Sequence, residues 1–257
     1  MNKMVEEEDL LIAKSEDKKR LCKTRNKITY SDFLNEKEQL VIKKNLKLEN
    51  CFWFGGNENA DRKALVFYPE KISEEVARNS IDTIFSVIRI TLPNENVGKF
   101  EHRNYLSALI KIGIERSKIG DIIVYENGAD IVVFKINENF VLQGLKELTR
   151  FRKSTIEIVN IDQIMNKVDL FEEINIIISS LRCDNIISEL AKCSRGVAEK
   201  LIEDERVLVN YEIVKKSSKK IEIGDKVTIR GKGKFVIEEI CGNTKNGNII
   251  LSVKKYL

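Results

Sequence analysis

Residues suited to phosphate chemistry gather near the end of the 257-residue chain. Ser194 and Arg195 precede an apolar stretch at helical spacing, Val197, Ala198, Leu201 and Ile202, so Ser194 is placed to cap a helix. The free N–H groups and dipole of such a start favour an anion, and Arg195 adds a guanidinium fork that matches phosphate. Lys200 lies on the same predicted helix. Between 215 and 234 stand eight basic residues, Lys215, Lys216, Lys219, Lys220, Lys226, Arg230, Lys232 and Lys234, against Glu222 and Asp225. The strand over 226–230 turns Val227 and Ile229 inward, so Lys226, Thr228 and Arg230 share its outer face. A lysine run alone is more often a solvated face. Beside an anion-favouring helix start, it suits a structured RNA followed by backbone and shape rather than base identity.

Other chemistries find less support. Arg182 and Asp184 are spaced to pair or cap within one short helix, a structural role more than an RNA contact. The five cysteines contain no C-x-x-C pair, and His102, the single histidine, is far from them in sequence. Reduced, mostly buried thiols are expected, with no metal site. His102-Arg103-Asn104 echoes a kinase catalytic loop but lacks the Gly-rich loop and D-F-G. Gly231-Lys232-Gly233-Lys234 lacks the spacing and following Ser or Thr of a P-loop. No nucleophile–base constellation appears, so no catalytic residue and no cofactor is expected.

The elements that must carry this site follow from periodicity. Of 44 basic and 40 acidic residues, 16 and 11 fall in 178–257, so the basic excess belongs to the C-terminal third. That segment reads as two short helices, the first carrying Cys183, Ile186, Ile187 and Leu190. A small sheet of period-two strands follows, with turns at Gly224-Asp225 and Gly242-Asn243. Residues 79–172 run β-α-β-β-α-β, with a hairpin at Asn127-Gly128, a split βαβ arrangement that RNA-recognition domains also use. Few aromatics stand where bases would stack, and Phe134 reads as core. Residues 1–78 form a helical α/β part, with a helix capped at Asn35 and Glu38 that turns Leu40 and Val41 inward. The domains are therefore 1–78, 79–172 and 178–257. No apolar run reaches a membrane span, and the acidic start does not read as a secretion signal, so a cytoplasmic protein is expected.

Three segments make the reading narrower. Ser180-Leu181-Arg182-Cys183-Asp184, Ser194-Arg195-Gly196-Val197-Ala198 and Val207-Leu208-Val209-Asn210 resemble an S4 RNA-binding domain, as do Ile223–Val227 and Arg230–Phe235. Cys183 replaces the usual Leu, and Glu205 stands where that family places Gly. Upstream, Ser31-Asp32-Phe33-Leu34, Gly55–Lys63, His102–Leu109 and Gly120-Asp121-Ile122 look like YlmH-type S4 proteins, with Asn104 and Ser107 in place of the usual Asp and Gly. The match covers nearly the whole chain after residue 25. The resemblance implies an α+β protein with an N-terminal α/β domain, an RRM-like middle domain and a C-terminal S4 (α-L) domain. It also implies a non-enzymatic binder of rRNA or tRNA on the bacterial large ribosomal subunit, active in ribosome-associated quality control. Asn210 joins the RNA-binding residues on this ground. Arg62, Lys63, His102, Arg103 and Lys118 form a candidate second RNA surface, with structural ion pairing an equal alternative. Quality-control or cell-division proteins are candidate partners. The competing readings are a cell-division-linked adaptor and an RNA-modifying enzyme targeted by an S4 domain.

Overall fold

In the computed structural model, residues 3–57, 60–165 and 171–256 are described, which leaves Glu58 and Asn59 of the 55–63 motif outside. They divide into two units, Met1–Lys167 and Val168–Leu257.

The first unit opens with α1 (Lys3–Arg25), β1 (Thr29–Tyr30), α2 (Glu36–Asn45), β2 (Cys51–Phe54), β3 (Ala64–Phe67) and α3 (Glu74–Asn79). Its three strands form a sheet of order β1-β3-β2. The expected cap of α2 is present: Glu38 N donates to the Asn35 side chain at 3.0 Å, and Asn35 N donates to the Glu38 carboxylate at 2.6 Å. The buried side chains of α2 are Gln39 and Ile42, not Leu40 and Val41. Gln39 enters the interior because its amide donates to the carbonyls of Leu34 and Asp61, so a polar residue displaces the apolar face expected from sequence.

Then follow β4 (Phe85–Thr91), α4 (His102–Lys111), β5 (Ile119–Tyr125), β6 (Gly128–Phe134), α5 (Glu138–Glu147) and β7 (Thr155–Val159). The sheet order is β5-β6-β4-β7, all antiparallel, the arrangement expected of the split βαβ unit. Alternation sends Ile88, Ile90, Ile131 and Val133 into a core with Tyr105, Leu109, Val141 and Leu145 of the two helices. The opposite face carries Phe85, Val132 and Phe134, which pack on Phe33, Phe52 and Val66. Phe134 lies 4.5 Å from the Phe33 ring and 5.1 Å from that of Tyr30. The segments expected as separate domains at 78/79 thus share one aromatic core. The face on which an RNA-recognition sheet stacks bases is filled by the protein itself. At the β5–β6 hairpin the loop is Glu126-Asn127, and Gly128 is the first strand residue. A Cβ there would run into the Ile90 carbonyl oxygen, so close strand approach demands the glycine.

The second unit contains β8 (Phe171–Ile178), α6 (Cys183–Ala191), α7 (Arg195–Glu203), β9 (Val207–Val209), β10 (Glu212–Ile213), β11 (Lys226–Ile229), β12 (Gly233–Asn243) and β13 (Ile249–Tyr256). They build a six-stranded sheet of order β10-β9-β11-β12-β13-β8. Strand β8 pairs with β13 along its whole length, so residues 171–178 belong to this sheet, whereas the expected bounds put 171 and 172 in the middle domain and begin the last domain at 178. Both helices press Ile186, Ile187, Ala198 and Ile202 onto Val207, Val227, Ile237 and Leu251. Cys183 is buried in this core in place of leucine. Of the five thiols, Cys22 and Cys183 are buried and Cys241 is exposed. Gly242-Asn243, expected as a turn, lies at a register shift inside β12. The turn forms at Thr244–Asn248, where Gly247 has φ +80° and the Thr244 hydroxyl accepts from Asn248 N. The later Asn-Gly signal outcompetes the earlier Gly-Asn.

Candidate nucleic-acid interface

The site assembles where the lysine-bearing loop crosses the start of α6. Cys183 N donates to the Lys219 carbonyl at 2.8 Å, and Asp184 N to the Ser217 carbonyl at 3.0 Å. Ile221 N closes the crossing on the Leu181 carbonyl at 2.9 Å. The loop therefore satisfies the open N–H groups of α6 with its own backbone, leaving Lys215, Lys216, Lys219 and Lys220 exposed.

Asp184 ties this crossing to α7. Its side chain is completely buried, and its carboxylate accepts from Arg182 at 3.1 and 2.8 Å and from Arg195 at 3.0 and 2.8 Å. The Arg182 bonds, aided by Arg195 and opposed by burial, hold the carboxyl down at about 2. Two guanidinium groups on one carboxylate leave a net positive charge with both heads about half exposed. Sequence spacing suggests the Arg182–Asp184 pair but offers Arg195 as an open phosphate fork. In the fold, its Nε and Nη2 are committed to Asp184, so Arg195 is a held cation. Ser194 caps α7 as expected, its hydroxyl accepting from Val197 N at 3.4 Å.

The other basic residues gather past the far end of α7. The turn after α7 places Glu205 at φ +56°, with Glu205 N bonded to Ile202 O and Arg206 N to Leu201 O, a Schellman closure usually given to glycine. Arg206 then donates to the Arg230 carbonyl at 2.9 Å. Arg230, Lys232 and Lys234 are exposed on the β11–β12 hairpin, and Lys234 faces Thr228 across the strands. Lys226 is half-buried, 5.9 Å from the Tyr211 ring. Lys200 is exposed on α7. Asn210 is spent within the protein: its amide donates to Asp225 at 2.7 Å and its carbonyl accepts from Lys226 N at 3.0 Å. That bonding fixes the left-handed Asn210-Tyr211 turn to β11.

The second proposed surface separates into two places. Arg62 donates to the carbonyls of Phe33, Arg116 and Ile119, and burial lowers its pKa. Lys63 pairs through its backbone with Leu34, and Lys118 forms an ion pair with Asp32. These three gather around residues 31–34. His102 and Arg103 instead open α4, where Arg103 pairs with Glu101 at 3.0 Å. Among the described residues, no cluster could hold a metal ion, and no helix is long and apolar enough to cross a membrane.

A family model described as "Putative RNA-binding domain in YlmH" matches residues 80–163, and the S4 domain model matches residues 181–227. The chain carries a YlmH-type RNA-binding domain followed by an S4 domain. It is 28% identical over 231 residues to "Ribosome-associated protein quality control protein P2" of Bacillus subtilis (strain 168), spanning 88% of this chain and 87% of that protein. "Cell division protein ylmH" of Streptococcus pneumoniae overlays with a TM-score of 0.47 at 20% identity, over 62% of this chain and 95% of that one.

Two basic residues at this face stand out from the fold rather than the sequence. Arg182 reads as a capping residue from its neighbours, yet it shares Asp184 with Arg195 and keeps its head half exposed. Arg206 lies outside the lysine run, and only the tertiary contact with Arg230 reveals its position. Local spacing signals the Arg182–Asp184 pair but not its sharing with Arg195, and it does not signal Arg206.

Proposed function

We propose that the S4 unit docks structured rRNA or tRNA on the large ribosomal subunit, as a non-enzymatic factor of ribosome-associated quality control in the cytoplasm. The observation that carries this reading is the Arg182–Asp184–Arg195 cluster beneath the pinned loop of Lys215, Lys216, Lys219 and Lys220. A buried carboxylate keeps two cations fixed without consuming their whole charge, so phosphates meet a preset surface rather than mobile side chains. Ser194, Lys200, Lys226, Arg230, Lys232 and Lys234 extend it along α7 and the β11–β12 hairpin. The quality-control wording of the Bacillus relative's name supports the setting. The filled sheet face of the middle domain favours the S4 unit as the principal RNA surface.

The deciding experiment changes Arg195, Lys216, Arg230 and Lys232 to Glu together and follows sedimentation with purified large subunits. Loss of co-sedimentation by a folded variant is the expected result. Unchanged co-sedimentation would refute the S4 surface. A modified nucleoside appearing after incubation with ribosomal RNA would refute the non-enzymatic reading.

A further inference from the structure

An open groove of about 770 Å³ runs between α1 and the segments 31–38 and 116–118 of the first unit. Its size lies within the roughly 300–1,000 Å³ common for small-ligand sites. The α1 wall presents Leu10, Leu11 and Leu21 among Lys14, Asp17 and Lys18, and Leu10 is 55% exposed. The facing wall carries the guanidinium groups of Arg62 and Arg116.

Those two groups are held side by side on one acceptor. Arg62 Nε donates to the Ile119 carbonyl at 3.1 Å and Arg116 Nη1 to the same oxygen at 2.9 Å. Arg62 Nη2 also grips the carbonyls of Phe33 and Arg116, so the pair is rigid. Arg62 Nη1 and the Nε and Nη2 of Arg116 have no acceptor among the described residues. Neither arginine forms an ion pair there. Of the acids that line the groove, Asp32 pairs with Lys118 and Asp17 with Arg20, Glu38 accepts from the Asn35 backbone while its charge acts on Arg62, and Glu7 stands exposed on α1. Burial and the neighbouring Arg62 charge lower the pKa of Arg116 to about 10, only partly opposed by the Asp121 carboxylate.

We propose that this groove binds a phosphorylated nucleotide unit, its phosphate bridging Arg62 and Arg116 and its base resting on the leucines of α1. A phosphate presents three oxygens and up to two charges, enough to engage both forks and offset their repulsion. A single carboxylate brings only one negative charge to the two guanidinium groups, whereas a phosphate can bring two. The unit can be a free nucleotide or a phosphorylated RNA end, which share this chemistry.

The test follows the arginine Nε–Hε NMR signals of the full-length protein during titration with AMP, with the 5′-phosphorylated dinucleotide pApA, and with unphosphorylated ApA. Saturable shifts of Arg62 and Arg116 with AMP or pApA are expected, with binding at least tenfold weaker for ApA. Equal affinity for AMP and pApA identifies a free nucleotide, and tighter pApA identifies an RNA end; both support the site. Arg116→Gln should weaken binding at least tenfold. Leu10→Asp, at an exposed position that does not endanger folding, should weaken it about fivefold, the penalty of an apolar contact replaced by charge. Absent or unsaturable shifts, equal binding of ApA, or full affinity in folded variants would overturn the proposal. So would an acidic leucine-containing peptide that shifts both signals when pApA does not. The S4 charge-reversal variant should bind pApA here unchanged, which separates failure of this site from failure of the S4 reading.

Discussion

Asp184, at the start of α6, accepts both the Nε and Nη2 hydrogen bonds of Arg195, eleven residues later at the start of α7, at 3.0 and 2.8 Å. Together with Arg182 this contact locks two helix starts and the basic loop into one cluster. Asp184→Asn removes the charge that both guanidinium groups share. Because the carboxylate is buried while the arginines reach solvent, the expected loss of folding stability is about 2–3 kcal/mol. Urea unfolding of the variant measures it.

The same carboxyl should make stability depend on acid. Its folded pKa of about 2 lies below the ordinary 3.8, so the folded state resists protonation. The contribution is present above pH 4 and disappears as pH falls from about 4 to 2, amounting to about 2 kcal/mol. Unfolding midpoints measured across that range should fall more steeply for the native protein than for Asp184→Asn. Parallel curves would contradict the assignment.

Glu205 occupies the left-handed position of the closure after α7, a position that costs a residue with a Cβ about 1–2 kcal/mol. Glycine adds chain entropy to the unfolded state, which cancels part of that gain. Glu205→Gly should therefore raise stability by about 1 kcal/mol, readable as a higher urea midpoint with an unchanged slope.

Tyr105 is fully buried, stacked on Phe151 at 5.9 Å, and its hydroxyl has no hydrogen-bond partner among the described residues. Burial alone pushes its pKa up to about 12. Tyr105→Phe removes an unsatisfied polar atom while keeping the ring, so a gain of about 1 kcal/mol is expected. Thermal unfolding would show the opposite sign if an ordered water served the hydroxyl.

Local grammar in the sequence announced much of this architecture. The cap at Asn35, the order β-α-β-β-α-β and the inward pair Val227 and Ile229 each follow from neighbours only a few residues apart. What escaped involves partners distant in sequence. The Arg195 fork reads as open until α6 brings Asp184 to it, and Asn210 reads as an RNA contact until Asp225 and Lys226 claim its amide. Phe134 has the alternation of a core strand residue, but the aromatic cluster that covers its face comes from residues 30–33. Gly128 advertises a turn, whereas the crowding carbonyl belongs to Ile90, on a strand thirty-eight residues away. Spacing reports what a residue can do, and the fold decides which of its bonding groups remain available.

The two basic groups of the S4 unit lie past opposite ends of α7, and salt dependence can determine whether one RNA meets both. Each phosphate neutralised by a cation releases condensed counterions, so affinity falls with salt in proportion to the contacts made. Lys216→Ala at the loop and Arg230→Ala near the β11–β12 hairpin should each flatten the slope of log affinity against log salt by about 1. If one RNA spans both groups, the double variant should lose about 2 from the slope on the same RNA. If the groups serve different RNAs, a given RNA responds to only one substitution, and the double variant matches that single one. Fluorescence anisotropy over a salt series, with ribosomal RNA fragments and tRNA as probes, distinguishes the two outcomes. The first is expected, because Arg206 connects the end of α7 to Arg230 and Asp184 holds its start, making the helix a rigid spacer between two phosphate contacts.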